Sequence, residues 1–426
     1  MSVLNELRMK PETSKHRSWD ASLAVRLVLA VTVISTLLIG ANLATPIYPL
    51  IQVELGLSAF AVTIAFASYV MALIGGLVLA GHWSDHIGRR AALVLAVVLG
   101  FLGAALFAVA TSLPMLVTGR VLQGGAVALA TGASAAALRD LLPARPDWAS
   151  RFTLMASAGG VAAGPVIGGV LSLLPAPTRT PFLVYTAVLA TLLVPLVLLR
   201  ARPAIKPAAR AITVLRPRRP AVSRDARRAF WTASCVGFLS FSVFGFTLSL
   251  APTWFAGIAD TTSRPLIGLL SALVLASSAV SQILPPRGRS VVPVGLAGMA
   301  LGVGLLPLAE RTGSLPLLVG ACVLAGFGQG LAFRVVFNEV SVRVDPALHA
   351  QTVSAVYVIT YLGSAVPVLG LGAAAGIWGL DASVTVFALG ISGICVLLAA
   401  GSLVLRLRLC TDGRHGMRAD VGGTAV

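Results

Sequence analysis

Twelve stretches of apolar residues, at about 24–48, 59–81, 91–110, 113–137, 152–174, 181–200, 230–256, 265–284, 291–309, 315–339, 348–376 and 382–406, decide what this chain can fold into. Each is close to the ~20 residues that an α-helix needs to cross the hydrocarbon core of a bilayer, and each is bounded by charge, Pro or Gly. Inside hydrocarbon every backbone N–H and C=O must be paired within its own segment, so runs of this length are read as helices. Composition agrees: 57% of the residues are hydrophobic and only 11% are charged, against about a quarter in soluble domains. The expected fold is an all-α polytopic membrane protein.

A formal net charge of +17 could suggest nucleic acid, but its placement decides otherwise. Reading the loops in alternation puts 27 of the 32 Lys and Arg on one side, leaves Arg179, Arg264 and Arg311 on the other, and sets Arg120 and Arg334 inside helices. Such an asymmetry orients both termini to the cytoplasm, with the cell membrane as the expected location and no nucleic-acid partner. Residues 1–23 read as a cytoplasmic tail without a cleavable signal, and 407–426 as a second tail. Residues 201–229, rich in Pro and Arg, read as a basic linker between helix sets 24–200 and 230–406, and also as a surface for anionic lipid headgroups. Cys235, Cys322 and Cys395 lie in apolar spans and Cys410 in the last tail, which is no disulfide framework.

The two sets repeat. Leu113-Pro114 recurs as Leu315-Pro316, Val121-Leu122 as Val323-Leu324, Gly124 as Gly326, Pro165 as Pro367 and Gly168 as Gly370, all at one offset of 202. A shared register of this kind suits two parallel bundles related about an axis along the membrane normal. Pro286-Arg287-Gly288-Arg289 is a worn counterpart of the turn described next.

Between the second and third spans stands Gly81-His82-Trp83-Ser84-Asp85-His86-Ile87-Gly88-Arg89-Arg90. Gly81 and Gly88 permit a tight turn, Asp85 can cap a helix or form an ion pair, and Arg89 and Arg90 hold that end in the cytoplasm. The pattern G-x-x-S-D-x-x-G-R-R resembles the loop between helices 2 and 3 of the major facilitator superfamily. Arg120-Val121-Leu122-Gln123-Gly124-Gly125 resembles its fourth-helix R-x-x-Q-G pattern. In the fifth span, Gly160, Gly164, Pro165 and Gly168 belong to G-x-x-x-G-P-x-x-G-G, which resembles the string marking antiporters and drug exporters of that superfamily. The resemblance implies two pseudo-symmetric six-helix bundles around a cavity that opens alternately to either side, acting as a monomer. It implies a cavity-facing Arg120 linked to proton movement, and export of small amphipathic, drug-like molecules in exchange for protons.

The residues themselves add particulars. A guanidinium about 10 Å inside a span is costly unless it faces a cavity or a partner, although snorkelling to the surface is an alternative. Glycines at i, i+4 and i+8 make a smooth face for close helix approach, and Pro165 predicts a bend. Asn42, Gln123 and Gln329 are polar candidates for the path. Phe241 and Phe244, in the seventh-span cluster with Phe238, Phe246 and Trp254, are candidate ring-binding residues, as are Tyr357 and Tyr361 at i, i+4 in the eleventh; packing is the alternative for each. No acid lies between Asp20 and Glu54, where many proton-coupled exporters carry one, which leaves Glu339 as the nearest candidate for coupling, or else an interfacial salt-bridge residue. Asp345-Pro346 reads as the start of the eleventh helix and as the partner of Asp85. His82 and His86 straddle a turn without further ligands, so neither a metal nor a cofactor is expected, and no catalytic constellation appears. A facilitator or symporter for a small metabolite, and a non-transporting membrane sensor, remain alternatives.

Overall fold

The structure is a computed structural model that describes residues 3–7, 19–81, 83–200, 226–283, 290–344 and 349–420. Among them are twelve helices long and apolar enough to cross a membrane: Leu23–Leu55, Ala59–Ala80, Arg89–Ala108, Leu113–Leu141, Pro146–Leu171, Thr180–Leu198, Arg227–Ser249, Arg264–Ile283, Val291–Thr312, Leu315–Val340, Gln351–Trp378 and Leu380–Leu403. They are the first to twelfth spans below. The linker residues 201–225, the worn turn 286–289 and Asp345-Pro346 lie outside the described residues.

Some span ends differ from the expected ones. The first span does not stop near 48: helix Leu23–Asn42 gives way to a 3-10 turn, Thr45–Ile47, and resumes as Tyr48–Leu55. Pro46 and Pro49 stand in the first turns of the two later pieces, where their missing N–H groups cost nothing, so the run bends and continues. The seventh span breaks likewise, with Ala251–Ile258 following Arg227–Ser249 and Pro252 in its first turn. The last helix runs on to Asp420 instead of ending near 406, because a helix pairs its own backbone groups and need not stop where the apolar run does.

Six spans pack mainly with one another on each side. The first contacts the fourth and fifth, the second the fourth, and the third the fourth and sixth; the seventh contacts the tenth and eleventh, and the ninth the tenth and twelfth. Glycine sets several of these approaches. A Cβ at Gly124 would lie 2.3 Å from the Tyr69 carbonyl of the second span, and one at its repeat partner Gly326 would lie 2.1 Å from the Val274 carbonyl of the eighth. The repeat therefore reproduces a backbone contact, and the fourth and tenth helices, Leu113–Leu141 and Leu315–Arg343, keep the same offset and length. Gly168 and Gly370 differ, since the first abuts the Leu43 carbonyl and the second faces open space.

Two pairs of spans join the halves broadly, the second with the eleventh and the fifth with the eighth. Away from the Gly81–Arg90 turn, at what we term the far face, the halves are held together. Thr45 donates to the Leu248 carbonyl at 3.3 Å, Thr253 donates to Gln52 Oε1 at 2.9 Å, and a Cβ at Gly268 would meet the Pro165 carbonyl at 2.3 Å. Toward the turn, the basic face, the fourth and tenth spans pack extensively only within their own halves. There Gly159 has open space around it and Met155 is 64% exposed. Among the described residues, these hydrogen bonds between the halves thus gather at the far face.

The amino-terminal segment is not a plain tail. Helix Val3–Leu7 lies against the third span, and Trp19 exchanges backbone hydrogen bonds of 2.8 Å with the Leu198 carbonyl and the Arg200 N–H. Arg90, expected to hold its end of the helix in the cytoplasm, is buried: its Nε donates to Glu6 at 3.0 Å, and one terminal nitrogen to the Val197 and Leu199 carbonyls that end the sixth span. A basic residue suits those carbonyls, because helix C-termini leave unpaired acceptors and a partial negative charge.

Two outcomes follow from this packing. In Gly164→Leu, the first side-chain carbon alone would sit 2.6 Å from the Asn42 Cβ and 2.7 Å from the Ile39 carbonyl, so we expect about 1–3 kcal/mol of destabilisation and loss of flux. Thermal unfolding of detergent-purified protein should show no such loss for Gly159→Ala. Removing Arg90 as Arg90→Ala should lower stability by about 3–5 kcal/mol, the cost of breaking a buried ion pair. Arg343→Ala, which breaks only a half-exposed pair with Glu339, should change it by about 1 kcal/mol or less.

Candidate functional site

Arg120 is positioned by the fourth span and held by the broken first span. It is 2% exposed. Its Nε donates to the Tyr48 hydroxyl at 3.0 Å, and one terminal nitrogen donates to Gln123 Oε1 at 2.9 Å and to the Ala41 carbonyl at 2.5 Å. The guanidinium also lies over the rings of Tyr48 and Phe107, 5.4 and 5.1 Å from their centroids. Gln123 is drawn in as expected, and its Nε2 is buried without a partner. Ala41 ends the first helical piece and Tyr48 begins the third, so one side chain ties both sides of the break together. Snorkelling is not what Arg120 does, since its partners all lie inside the first half.

Asn42, expected beside this path, is elsewhere. Its amide donates to the Leu38 carbonyl of its own helix at 2.8 Å, and its Cβ faces Gly164 in the seam between the first and fifth spans. Gly160 and Gly168 extend the seam, with substituted carbons there 2.8 Å from the Ser35 carbonyl and 2.1 Å from the Leu43 carbonyl. Beyond it, Gly169 and Pro165 turn to the eighth span of the other half. The expected close helix face is present, and it serves both the interior of one half and the junction of the two.

In the second half, rings gather into one connected surface. Phe241 stands 5.4 Å from Phe244, 5.2 Å from Tyr361 and 5.9 Å from Phe333, while Tyr357 lies 6.1 Å from Tyr361 and 5.1 Å from Phe337. All six are only partly buried. Phe333 and Phe337 are the members that sequence reading missed; their i, i+4 spacing in the tenth span was the available signal. Phe246 and Trp254 belong to a different group, packed with Phe255 and Phe387. Gln329 is buried with its Oε1 unpartnered, among glycines that touch the eighth span. Glu339 pairs with Arg343 at 2.9 Å, two residues after Phe337 on the tenth span.

The turn at the basic face is a charge network. Arg89 binds Asp85 at 2.5 Å, the Ser84 hydroxyl at 2.7 Å and Asp140, from the end of the fourth span, at 2.9 Å. Asp140 is a second carboxylate that sequence reading missed, although its place at a helix end beside basic loops was visible. Gly88 has φ of 93°, a conformation that side chains resist, and the Gly81 carbonyl would lie 2.9 Å from a Cβ at Gly132 of the fourth span. The carboxylate of Asp85 is therefore engaged within its own half.

Three comparisons bear on what this arrangement is. A family model described as "Major Facilitator Superfamily" matches residues 30–368. The tetracycline resistance protein, class E, of Escherichia coli is 37% identical over 130 residues, which is 29% of this chain and 30% of that protein. The chain thus aligns with less than a third of that relative's length. Among solved structures, a bacterial homolog of the human lysosomal transporter Spinster, in an inward-facing and unoccupied conformation, superposes with a TM-score of 0.69 at 16% identity, covering 89% of this chain and 95% of that one. A POT family transporter in complex with 5-aminolevulinic acid gives 0.68 at 16%, covering 90% and 95%. The nucleoside transporter NupG gives 0.64 at 16%, covering 90% and 99%. At such identities the likeness is one of fold, a fold these transporters share. With twelve membrane-length helices in this arrangement and a family model matched across most of its length, the chain is an integral multi-pass membrane protein that belongs to the Major Facilitator Superfamily.

Proposed function

We propose that the protein exports small amphipathic molecules from the cytoplasm by alternating access, driven by inward proton movement. The observation that carries this reading is the surface of six partly buried rings on the seventh, tenth and eleventh spans of a molecule whose halves, among the described residues, are hydrogen-bonded to each other at the far face. The Lys and Arg asymmetry favours the cytoplasm for the basic face, and the rings would then take cargo from inside the cell. Phe241, Phe244, Tyr357 and Tyr361 would bind its apolar body. Arg120 and Gln123 would form the polar end of the path, Asp85 and Arg89 would latch the cytoplasmic turn, and the seam at Gly160, Gly164 and Gly168 would limit leak. The likeness of part of the chain to a tetracycline resistance protein favours export over uptake. The protein would act as a monomer with its termini in the cytoplasm.

A second reading is a facilitator or symporter for a small metabolite. It is favoured by one specific observation: all 15 Asp and Glu residues lie outside the spans or within two residues of a span end, so no carboxylate sits deep in the membrane to carry a proton.

Reconstituted vesicles with an imposed pH gradient separate the two. Export predicts that wild-type flux of an aromatic probe rises with the gradient and that Arg120→Ala abolishes the rise, while Glu339→Gln lowers the gradient dependence and preserves exchange of substrate for substrate. Flux unchanged on collapsing the gradient would replace the antiporter with the facilitator. A separate outcome is expected at the turn. Asp85→Asn loses one charge-assisted contact to Arg89, partly exposed and so worth about 1 kcal/mol or less. If that contact is made in only one state of the cycle, flux should fall by up to about fivefold with probe affinity unchanged; equal flux at equal expression removes the latch.

A further inference from the structure

Charge inside the membrane-spanning part is all of one sign. Every carboxylate in the sequence lies outside the spans or within two residues of a span end, whereas Arg120 lies seven residues, or about 10 Å, inside the fourth span, and Arg334 lies six residues before Val340 in the tenth. Arg120 holds three groups by hydrogen bonds, the Tyr48 hydroxyl, the Gln123 amide and the Ala41 carbonyl, and all three are neutral. Neutral partners orient a guanidinium without cancelling its charge. In a low-dielectric interior such a charge acts over distances at which bulk water would have silenced it.

The field has a route toward the ring surface. Tyr69 of the second span packs on the fourth, its carbonyl 2.3 Å from where a Cβ at Gly124 would stand, one turn after Arg120, and Tyr361 lies 6.1 Å from Tyr357. Tyr69, Tyr361 and Phe244 also pack on one apolar cluster where the second and eleventh spans meet. A row of phenol groups thus leads from the cation of one half to the rings of the other. A cationic cargo on that surface would find rings but no carboxylate deep in the membrane-spanning part to neutralise it, and would feel the Arg120 charge as repulsion. A cargo with an acidic group would find both rings for its body and a guanidinium for its charge.

We propose that the molecule carried combines a flat aromatic body with an acidic group, the body lying on the Phe241 and Tyr361 surface and the acid turned toward the Arg120 and Tyr69 side. This rests on the ring surface being the cargo site, as the export reading has it, but on neither the direction of transport nor its coupling to protons. For a charge roughly 10 Å from Arg120 in a medium of effective dielectric about 20, the interaction corresponds to a preference of about tenfold over a neutral body of the same shape.

The test uses full-length purified protein in nanodiscs and three probes that share a naphthalene ring: 1-naphthoate, 1-naphthalenemethanol and 1-naphthylmethylammonium. Equilibrium binding is measured at neutral pH and about 0.15 M salt. The expected order is naphthoate tightest by about tenfold over the alcohol, with the ammonium probe weakest. Phe241→Ala should weaken all three by a similar factor, and Arg120→Gln should bring the three affinities together, with Arg120→Lys restoring the order. The wild-type order is decisive by itself if Arg120→Gln does not fold. An ammonium probe that binds as tightly as naphthoate overturns the inference, and so does the absence of binding by all three up to about 1 mM. Flux that ignores a pH gradient would end the proton-driven reading and leave this order intact, whereas a reversed order would leave gradient-driven flux standing.

Discussion

Hydrocarbon gives two apolar helices no reason to prefer each other over lipid, so contact between spans depends on close approach of backbones and on the few hydrogen bonds between them. This chain meets that condition with glycine. The Gly124 and Gly326 contacts occupy equivalent places in the two halves, and Gly160, Gly164 and Gly168 bring the fifth span onto the first. The same device joins the halves, through Gly169 and Gly268 at the far face. Here the approach is supplemented by only a few hydrogen bonds, Thr45 to Leu248 and Thr253 to Gln52 among them. Bonds of this kind contribute about 1 kcal/mol each. A closure made of smooth surfaces and a few such bonds can separate at modest cost, while the interior of each half, with far longer seams, stays whole.

Charge is handled by helix geometry. Arg89 and Arg90 are neighbours in sequence, yet successive residues on a helix point about 100° apart. One therefore reaches Asp85 and Asp140 at the basic face, and the other turns inward to Glu6 and the carbonyls ending the sixth span. The pair fastens the third span on two sides at once. The inner arm also orders the amino-terminal residues against the bundle, where Arg26 binds Asp20 and the Ala21 and Arg200 carbonyls, each at 3.1 Å.

The span count, the repeat and the glycine seams were legible because each is a property of one helix or of a fixed period. Hydrophobic length reports a crossing without knowing its neighbours, and i, i+4 glycines report a smooth face whatever lies against it. The site was legible only in part. Arg120 with Gln123, and Phe241, Phe244, Tyr357 and Tyr361, were found by type and spacing. Asp140, Glu6, Phe333 and Phe337 were not, since each takes its meaning from a residue of another helix. Asn42 shows the converse: a polar residue in the right helix satisfied itself on the Leu38 carbonyl and faces packing instead of a path. The first span runs on past its expected end at 48 because Pro49 stands in the first turn of a new helical piece, where it removes no bond.

That break gives Arg120 a structural task inside the first half. A broken helix leaves carbonyls unpaired at its edge, and in a membrane each must find a donor. Arg120 supplies one to Ala41 before the break and grips Tyr48 after it. Between and beyond them stand Thr45 and Gln52, the two first-span residues that hydrogen-bond to the seventh span at the far face. Any ligand group that competes for the guanidinium therefore acts on both edges of the break, and through them on the bonds that hold the far face shut. The link requires no long pathway: the cation, the break and the closure lie on one helix and its immediate neighbours. An acidic ligand that drew Arg120 away would then loosen the two edges of the break, and it is the broken run between and after those edges that carries Thr45 and Gln52 to the far face.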